Sequence, residues 1–247
     1  MARVSGRGIR QSCGLVVAGA VLALAGCTGM SGMPRPELVA GADWSGLEPV
    51  HMKDIDIASA RPGAEFGRYD QVLLEPIEVE FAPEWEPLRP GSSFPISERD
   101  LEKLRQDVAE PLRKSFVKTI GQGGKYPLVD EPGPGVVRIR VRVADVRLNA
   151  PNLEAAARTE QWARSAGEMT LVAELVDAES GALLARIIDR WIDPDGRLQR
   201  YTWVDNNLAI GRAAEEWAQA IRRHLEVAGI KDRMHGAGEG LKKADPE

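Results

Sequence analysis

The 247-residue chain carries 32 Lys and Arg against 37 Asp and Glu, a formal charge of −5, and is 43% hydrophobic but only 5% aromatic. This profile excludes a collagen, a coiled coil and a wholly disordered chain. Its mild acidity argues against a general nucleic-acid binder, so no nucleic-acid partner is expected. The length suits one sizeable core.

The first residues read as an address. Arg3, Arg7 and Arg10 form a positive region, and an apolar run follows from Cys13 to Leu24. That run is shorter than the roughly 20 apolar residues a spanning helix needs, and it has the proportions of a leader peptide. It ends in Leu24-Ala25-Gly26-Cys27, which resembles the bacterial lipobox. Small residues let the chain lie extended in a peptidase groove, and the Cys27 thiol takes a diacylglyceride through a thioether.

The expected organisation is therefore a lipoprotein signal peptide over residues 1–26, then lipidated Cys27 with a flexible tether over 27–42. A single periplasmic α/β domain follows over 43–230, then a disordered tail over 231–247. Fatty acyl chains such as palmitate anchor the protein to the membrane, and Thr28 in place of an Asp favours the outer membrane. Cys13 leaves with the leader and Cys27 is consumed by lipid. The domain then has no thiol for a disulfide, a metal or nucleophilic chemistry.

Gln71 to Phe81 is the first strand expected, with a phase change at Pro76 that predicts a bulge or an edge position. Ser97 opens a helix, with Asp100 completing an approximate capping box. Leu101, Leu104, Val108, Leu112, Phe116 and Ile120 then line one face. Pro111 should kink or split that helix. Tyr126 to Asp130 is a short strand. Val137, Ile139, Val141 and Val143 alternate with Arg138, Arg140 and Arg142 in the clearest strand of the chain. Met169–Val176 and Ala182–Ile192 form a hairpin across residues 177–181. A last amphipathic helix runs from about Asn206 to Val227. The order β-α-β-β-β-β-α predicts an α+β sandwich. Its mixed, largely antiparallel sheet has about five strands, and its two main helices lie on one face.

Candidate sites are few. Arg138, Arg140 and Arg142 place three guanidinium groups on one strand face, a candidate surface for an anionic partner. The plainer alternative is a solvated face with cross-strand partners such as Glu174. Trp191, Tyr201 and Trp203 form an aromatic cluster. Exposed, they would be contact anchors; buried, they cap the core, which a chain with so few aromatics favours. His51, His224 and His235 read as surface histidines and do not share metal-ligand spacing. Asp193-Pro194-Asp195-Gly196 begins like a calcium loop but lacks the later ligands, so it reads as a turn. No phosphate-loop, zincin or nucleophile-elbow motif is present. No catalytic residue, metal or other cofactor is expected.

Four stretches together carry a resemblance: Asp43 to Val50, Tyr69 to Ile77, Pro132 to Ile139 and Asp177 to Leu184. They resemble a bacterial lipoprotein family known only as a domain of unknown function, over about residues 38–228. Its members more often carry Tyr where Trp44 stands. The layout is similar to curli-secretion and Tol-type envelope lipoprotein domains. That resemblance implies a fold and brings no catalytic residues.

The leading expectation is a lipid-anchored, non-enzymatic envelope protein whose domain binds another envelope protein or a cell-wall component. The alternatives are a small-molecule or lipid carrier with a closed apolar pocket, and a hydrolase with dispersed catalytic residues. The sequence does not fix an oligomeric state.

Overall fold

The computed structural model describes residues 34–85, 96–151, 161–194 and 196–242. Cys27 and the expected leader lie outside them. In chain order come α1 (Pro36–Ala40), β1 (Glu48–Pro49), β2 (Ile57–Ala60), β3 (Gln71–Leu74), β4 (Glu78–Phe81) and α2 (Glu98–Gly121). β5 (Val136–Leu148), β6 (Gln161–Ala163), β7 (Gly167–Asp177), β8 (Leu183–Ile192), β9 (Gln199–Tyr201) and α3 (Trp203–Lys242) follow.

Seven strands make one sheet in the order β1-β2-β8-β7-β5-β3, with β4 also beside β5; β6 and β9 form a separate two-stranded ribbon. All pairings are antiparallel except those of β3 and β4 with β5. The fold is the α+β class expected. The strand count exceeds expectation, because β1 and β2 extend the sheet beyond β8, the first expected strand is split into β3 and β4, and the ribbon lies outside it. The strand expected over Tyr126 to Asp130 forms only a single bridge, Leu128 to Val72.

β5 shows why the sheet has two unlike faces. Val137, Ile139, Val141 and Val143 are buried, while Arg138, Arg140 and Arg142 point the other way. A bulge between Ala144 and Arg147 adds one residue, Asp145, at φ 54°, and alternation resumes with Val146 and Leu148 inside. The break at Pro76 is also real. β3 pairs with the first part of β5 and β4 with its later part, so the two form one interrupted strand.

Both long helices cover the apolar face. Ser97 accepts a hydrogen bond from the Asp100 amide at 3.3 Å and donates to its carboxylate at 2.6 Å, so the capping box starts α2 as the spacing predicted. Leu104, Val108, Leu112, Phe116 and Ile120 are fully buried. Each such side chain contributes about 1.5–3 kcal/mol by leaving water. Pro111 does not split α2, which runs unbroken through it. Burial of Val108 and Leu112, three residues before and one after Pro111, offsets the lost hydrogen bond. Ser115 lies against Gly211, and further along Arg222 donates to the Thr119 carbonyl at 3.2 Å. The two helices therefore run in the same direction.

Two boundaries differ from expectation. The stretch expected as tether carries α1 within it, and Arg35 just before α1 pairs with Asp145. The last helix begins at Trp203 and reaches Lys242, where a disordered tail was expected from residue 231. Asp205 accepts from the Thr202 amide and hydroxyl at 2.7 Å each, which fixes the earlier start. The described residues share one hydrophobic core.

Candidate functional site: the arginine face and the aromatic end

The arginine stripe lies on the face away from the long helices, and carboxylates meet it from both sides. Glu75, in the break between β3 and β4, lies 3.4 Å from Arg138 and 3.2 Å from Arg140. Glu80 on β4 lies 2.9 Å from Arg142. Across the sheet Glu174 faces Arg140 at 3.8 Å and pairs with Arg186. Glu168 binds Arg147 at 2.7 Å and also Arg190. The stripe is thus one ladder of internal ion pairs, with Glu174 in the role the sequence suggested. Glu75 and Glu80 escaped sequence reading because the parallel register of the edge strands is not written in their spacing.

The chain after α1 crosses this face. Arg186 is buried, donates to the Asp43 carbonyl, and stacks 5.5 Å from the Trp44 ring centre. Between this segment and the sheet lies an open groove of about 480 Å³, lined among others by Glu37, Glu78, Arg140, Arg142 and Arg186.

The predicted aromatic cluster divides. Trp191 and Tyr201 are buried, and Trp203 is half-buried against the core. Trp191 donates through Nε1 to Glu216 at 3.1 Å. Tyr201 donates to Asp193 Oδ2 at 3.2 Å, the Ala166 amide donates to the same oxygen at 2.8 Å, and Arg212 reaches Oδ1 at 2.9 Å. Asp193 therefore ties β8, the ribbon and α3 together. Sequence reading saw only a turn here, since nothing in the spacing joins Asp193 to Tyr201 and Arg212. Among the described residues the large aromatic side chain that faces solvent is Trp162, in β6.

Deep under α3, Asp189 accepts from Trp217 Nε1 at 2.8 Å and from the Asp56 amide at 2.9 Å. Burial pushes its carboxyl up to about 6, against the two hydrogen bonds that oppose the shift. Both oxygens are engaged. His224 is half-buried rather than on the surface, its ring edge-on to Phe66 at 5.7 Å. Among the described residues, no group of three or more His, Cys, Asp or Glu is placed to hold a metal. No described helix is long and apolar enough to cross a membrane.

The family model described as protein of unknown function (DUF3313) matches residues 39–219. The chain belongs to the DUF3313 family. The DUF3313 match begins inside α1 and ends in α3, so it includes the arginine ladder and the Asp193 tie. No curated protein matches the chain. Among solved structures, a Xanthomonas campestris protein of family DUF330 is 13% identical at TM-score 0.39, over 70% of this chain and 92% of that one. The PelC dodecamer of Paraburkholderia phytofirmans is 9% identical at TM-score 0.29, over 69% of this chain and 96% of that one. A candidate lipoprotein of Caulobacter crescentus CB15 is 18% identical at TM-score 0.26, over 69% and 93%.

Proposed function

We propose that this DUF3313 chain is a lipid-anchored protein of the bacterial outer membrane. Its periplasmic domain works without catalysis, as an interaction or assembly module for another envelope protein or a cell-wall component. The anchor is Cys27, on the strength of the leader and lipobox. One observation carries the interaction reading: the open groove beside α1, walled by charges of both signs. There the Glu78 carboxylate has no ion-pair partner among the described residues, while Arg140 and Arg142 are already paired. Such a surface recognises a polar partner by charge pattern.

The layer where a carrier would keep an apolar pocket is filled by Leu112, Phe116, Ile139 and Trp217, which weighs against that alternative. The perturbed carboxyl a hydrolase would need is represented by Asp189, which is spent on Trp217 and Asp56.

The test is crosslinking in intact cells with the full-length chain, beside Cys27→Ala and the pair Arg140→Glu with Glu78→Lys. One envelope protein recovered with the native chain, and lost with the charge-altered pair, supports the reading. Recovery of no partner with the native chain sinks it.

A further inference from the structure

One end of the sheet carries an apolar surface that the arginine face does not explain. Trp162 is 69% exposed, Leu198 60%, Val204 64% and Leu208 59%. Their arrangement follows from the local structure. In the ribbon Trp162 lies opposite Arg200 and shares its face, and exposed Leu198 stands immediately before β9. Ala163 and Tyr201 take the other face and lean on the core. Val204 and Leu208 stand one turn apart at the start of α3. Behind them Ala209 and Ile210 are buried. Arg200 in the ribbon, and Arg164 and Arg197 flanking it, are also exposed.

The chain enters the domain at this same end. Arg35 pairs with Asp145 on the β5 bulge, and Trp85 donates to the Leu148 carbonyl at 3.1 Å. Leu148 is opposite Gly167, and Glu168 is opposite Ile192. The ribbon is joined there too, with Asn149 donating to the Ser165 carbonyl at 2.7 Å. From Cys27 to Pro34 the chain can reach about 25 Å at full extension.

We propose that this surface rests on the lipid bilayer, with Trp162, Leu198, Val204 and Leu208 in the interfacial layer and the ribbon arginines toward anionic headgroups. The inference rests on the reading of Cys27 as the anchor, which brings this end of the domain close to the membrane. Trp and Leu beside Arg suit an interface in which apolar groups enter the acyl boundary and cations meet phosphate. Tethering makes the contact effectively intramolecular, so a small apolar area suffices.

The test uses the chain from Cys27 onward, coupled through that single thiol to a maleimide phospholipid. The vesicles contain phosphatidylethanolamine and phosphatidylglycerol with brominated acyl chains, which quench tryptophan emission on contact. Quenching is expected in the coupled chain. The quenched component should vanish in Trp162→Phe, and should fall by about tenfold when Leu198→Asp and Leu208→Asp withdraw the surface from lipid. Absence of quenching, or quenching indifferent to these changes, overturns the proposal. A dimer in solution that the two aspartates dissociate also overturns it, because a second copy then covers the surface. Mass spectrometry of the native chain from cells separately decides whether Cys27 carries lipid. A bare Cys27 removes the anchoring reading without altering the vesicle result.

Discussion

Trp217 donates its indole N–H to Asp189 across 2.8 Å, joining α3 to β8 inside the core. The carboxyl is raised from an ordinary 3.8 to about 6, chiefly by burial. Between those values the folded chain holds a proton that the unfolded chain has released. Stability contributed by Asp189 therefore falls as pH rises through this window. Relative to Asp189→Asn, the native chain should lose about 3 kcal/mol between roughly pH 4 and pH 6, with a flat difference above roughly pH 7. Urea unfolding across pH checks this, and a pH-independent difference would refute it. Trp217→Phe should cost about 1–3 kcal/mol by stranding a carboxylate oxygen.

The hairpin between β7 and β8 should respond to acid in the opposite sense. Asp177 is buried, and its carboxyl is held at about 2 by the Ser180 amide, by Tyr69 and by the Ser180 hydroxyl. Tyr69 donates to it at 2.7 Å, and Ser180 donates through amide and hydroxyl at 2.7 Å each. A depressed carboxylate stabilises the fold above its unfolded value and loses that contribution as pH falls through its folded one. Asp177→Asn should cost about 2 kcal/mol at pH 7, with the difference shrinking as pH falls below about 4. Chemical denaturation at pH 7 and pH 3 measures it. Tyr69→Phe should cost about 1 kcal/mol at pH 7.

Gly167 opens β7 where a side chain has no room. A Cβ there would overlap the backbone carbonyl of Arg147, just past the β5 bulge. Gly167→Ala should cost about 3 kcal/mol or more, because backbone rather than a movable side chain must yield. Gly133→Ala, where a Cβ would meet nothing within 4 Å, is the matched control. Thermal melts of the two variants should differ by many degrees. Equal melts would show that the bulge relaxes freely.

The arginines of the ladder should not be equal. Arg140 is 45% exposed at its side chain, whereas that of Arg186 is 8% exposed. Exposed pairs contribute about 0–1 kcal/mol and weaken with salt. Loss of buried Arg186 leaves Glu174 with only the longer, exposed contact to Arg140 at 3.8 Å and strips the Asp43 carbonyl of its donor. The cost approaches that of a broken buried pair, about 3–5 kcal/mol. Arg186→Ala should therefore unfold the chain in much less urea than Arg140→Ala. Only the Arg140 effect should fade in high salt.

The sequence made β5, α2 and the β7–β8 hairpin legible for a common reason: local spacing alone decides which face is buried. Strict alternation from Val137 to Val143 admits one reading, and so does the three-and-four spacing after Ser97. β1 and β2 were not legible. Ile57–Ala60 is four residues without alternation, and Ser59 finds its partner Arg186 only in the folded sheet. The same distinction runs through the site. Arg138, Arg140 and Arg142 form a stripe visible in the sequence, and burial of Trp191 and Tyr201 followed from the scarcity of aromatics. Glu75, Asp193 and exposed Trp162 gain their roles from tertiary position, which no local pattern records. Asp145 was hidden as well, since one bulged residue is indistinguishable from a lapse in alternation.

The pairing of β2 with β8 also sets an order of events. Ile57 meets Ile188, so the edge that receives the N-terminal strands is made from residues near the other end of the chain. Contacts this remote slow folding, because a long loop must close before they form. A chain emerging N terminus first offers β1 and β2 long before any sheet edge exists to accept them. β2 can dock only once β8 has been made. Synthesis halted before residue 183 is therefore expected to leave the sheet unfinished, because β8 links β2 to β7. It leaves the paired β1 and β2 without the β8 edge they join, and the face that α3 covers bare.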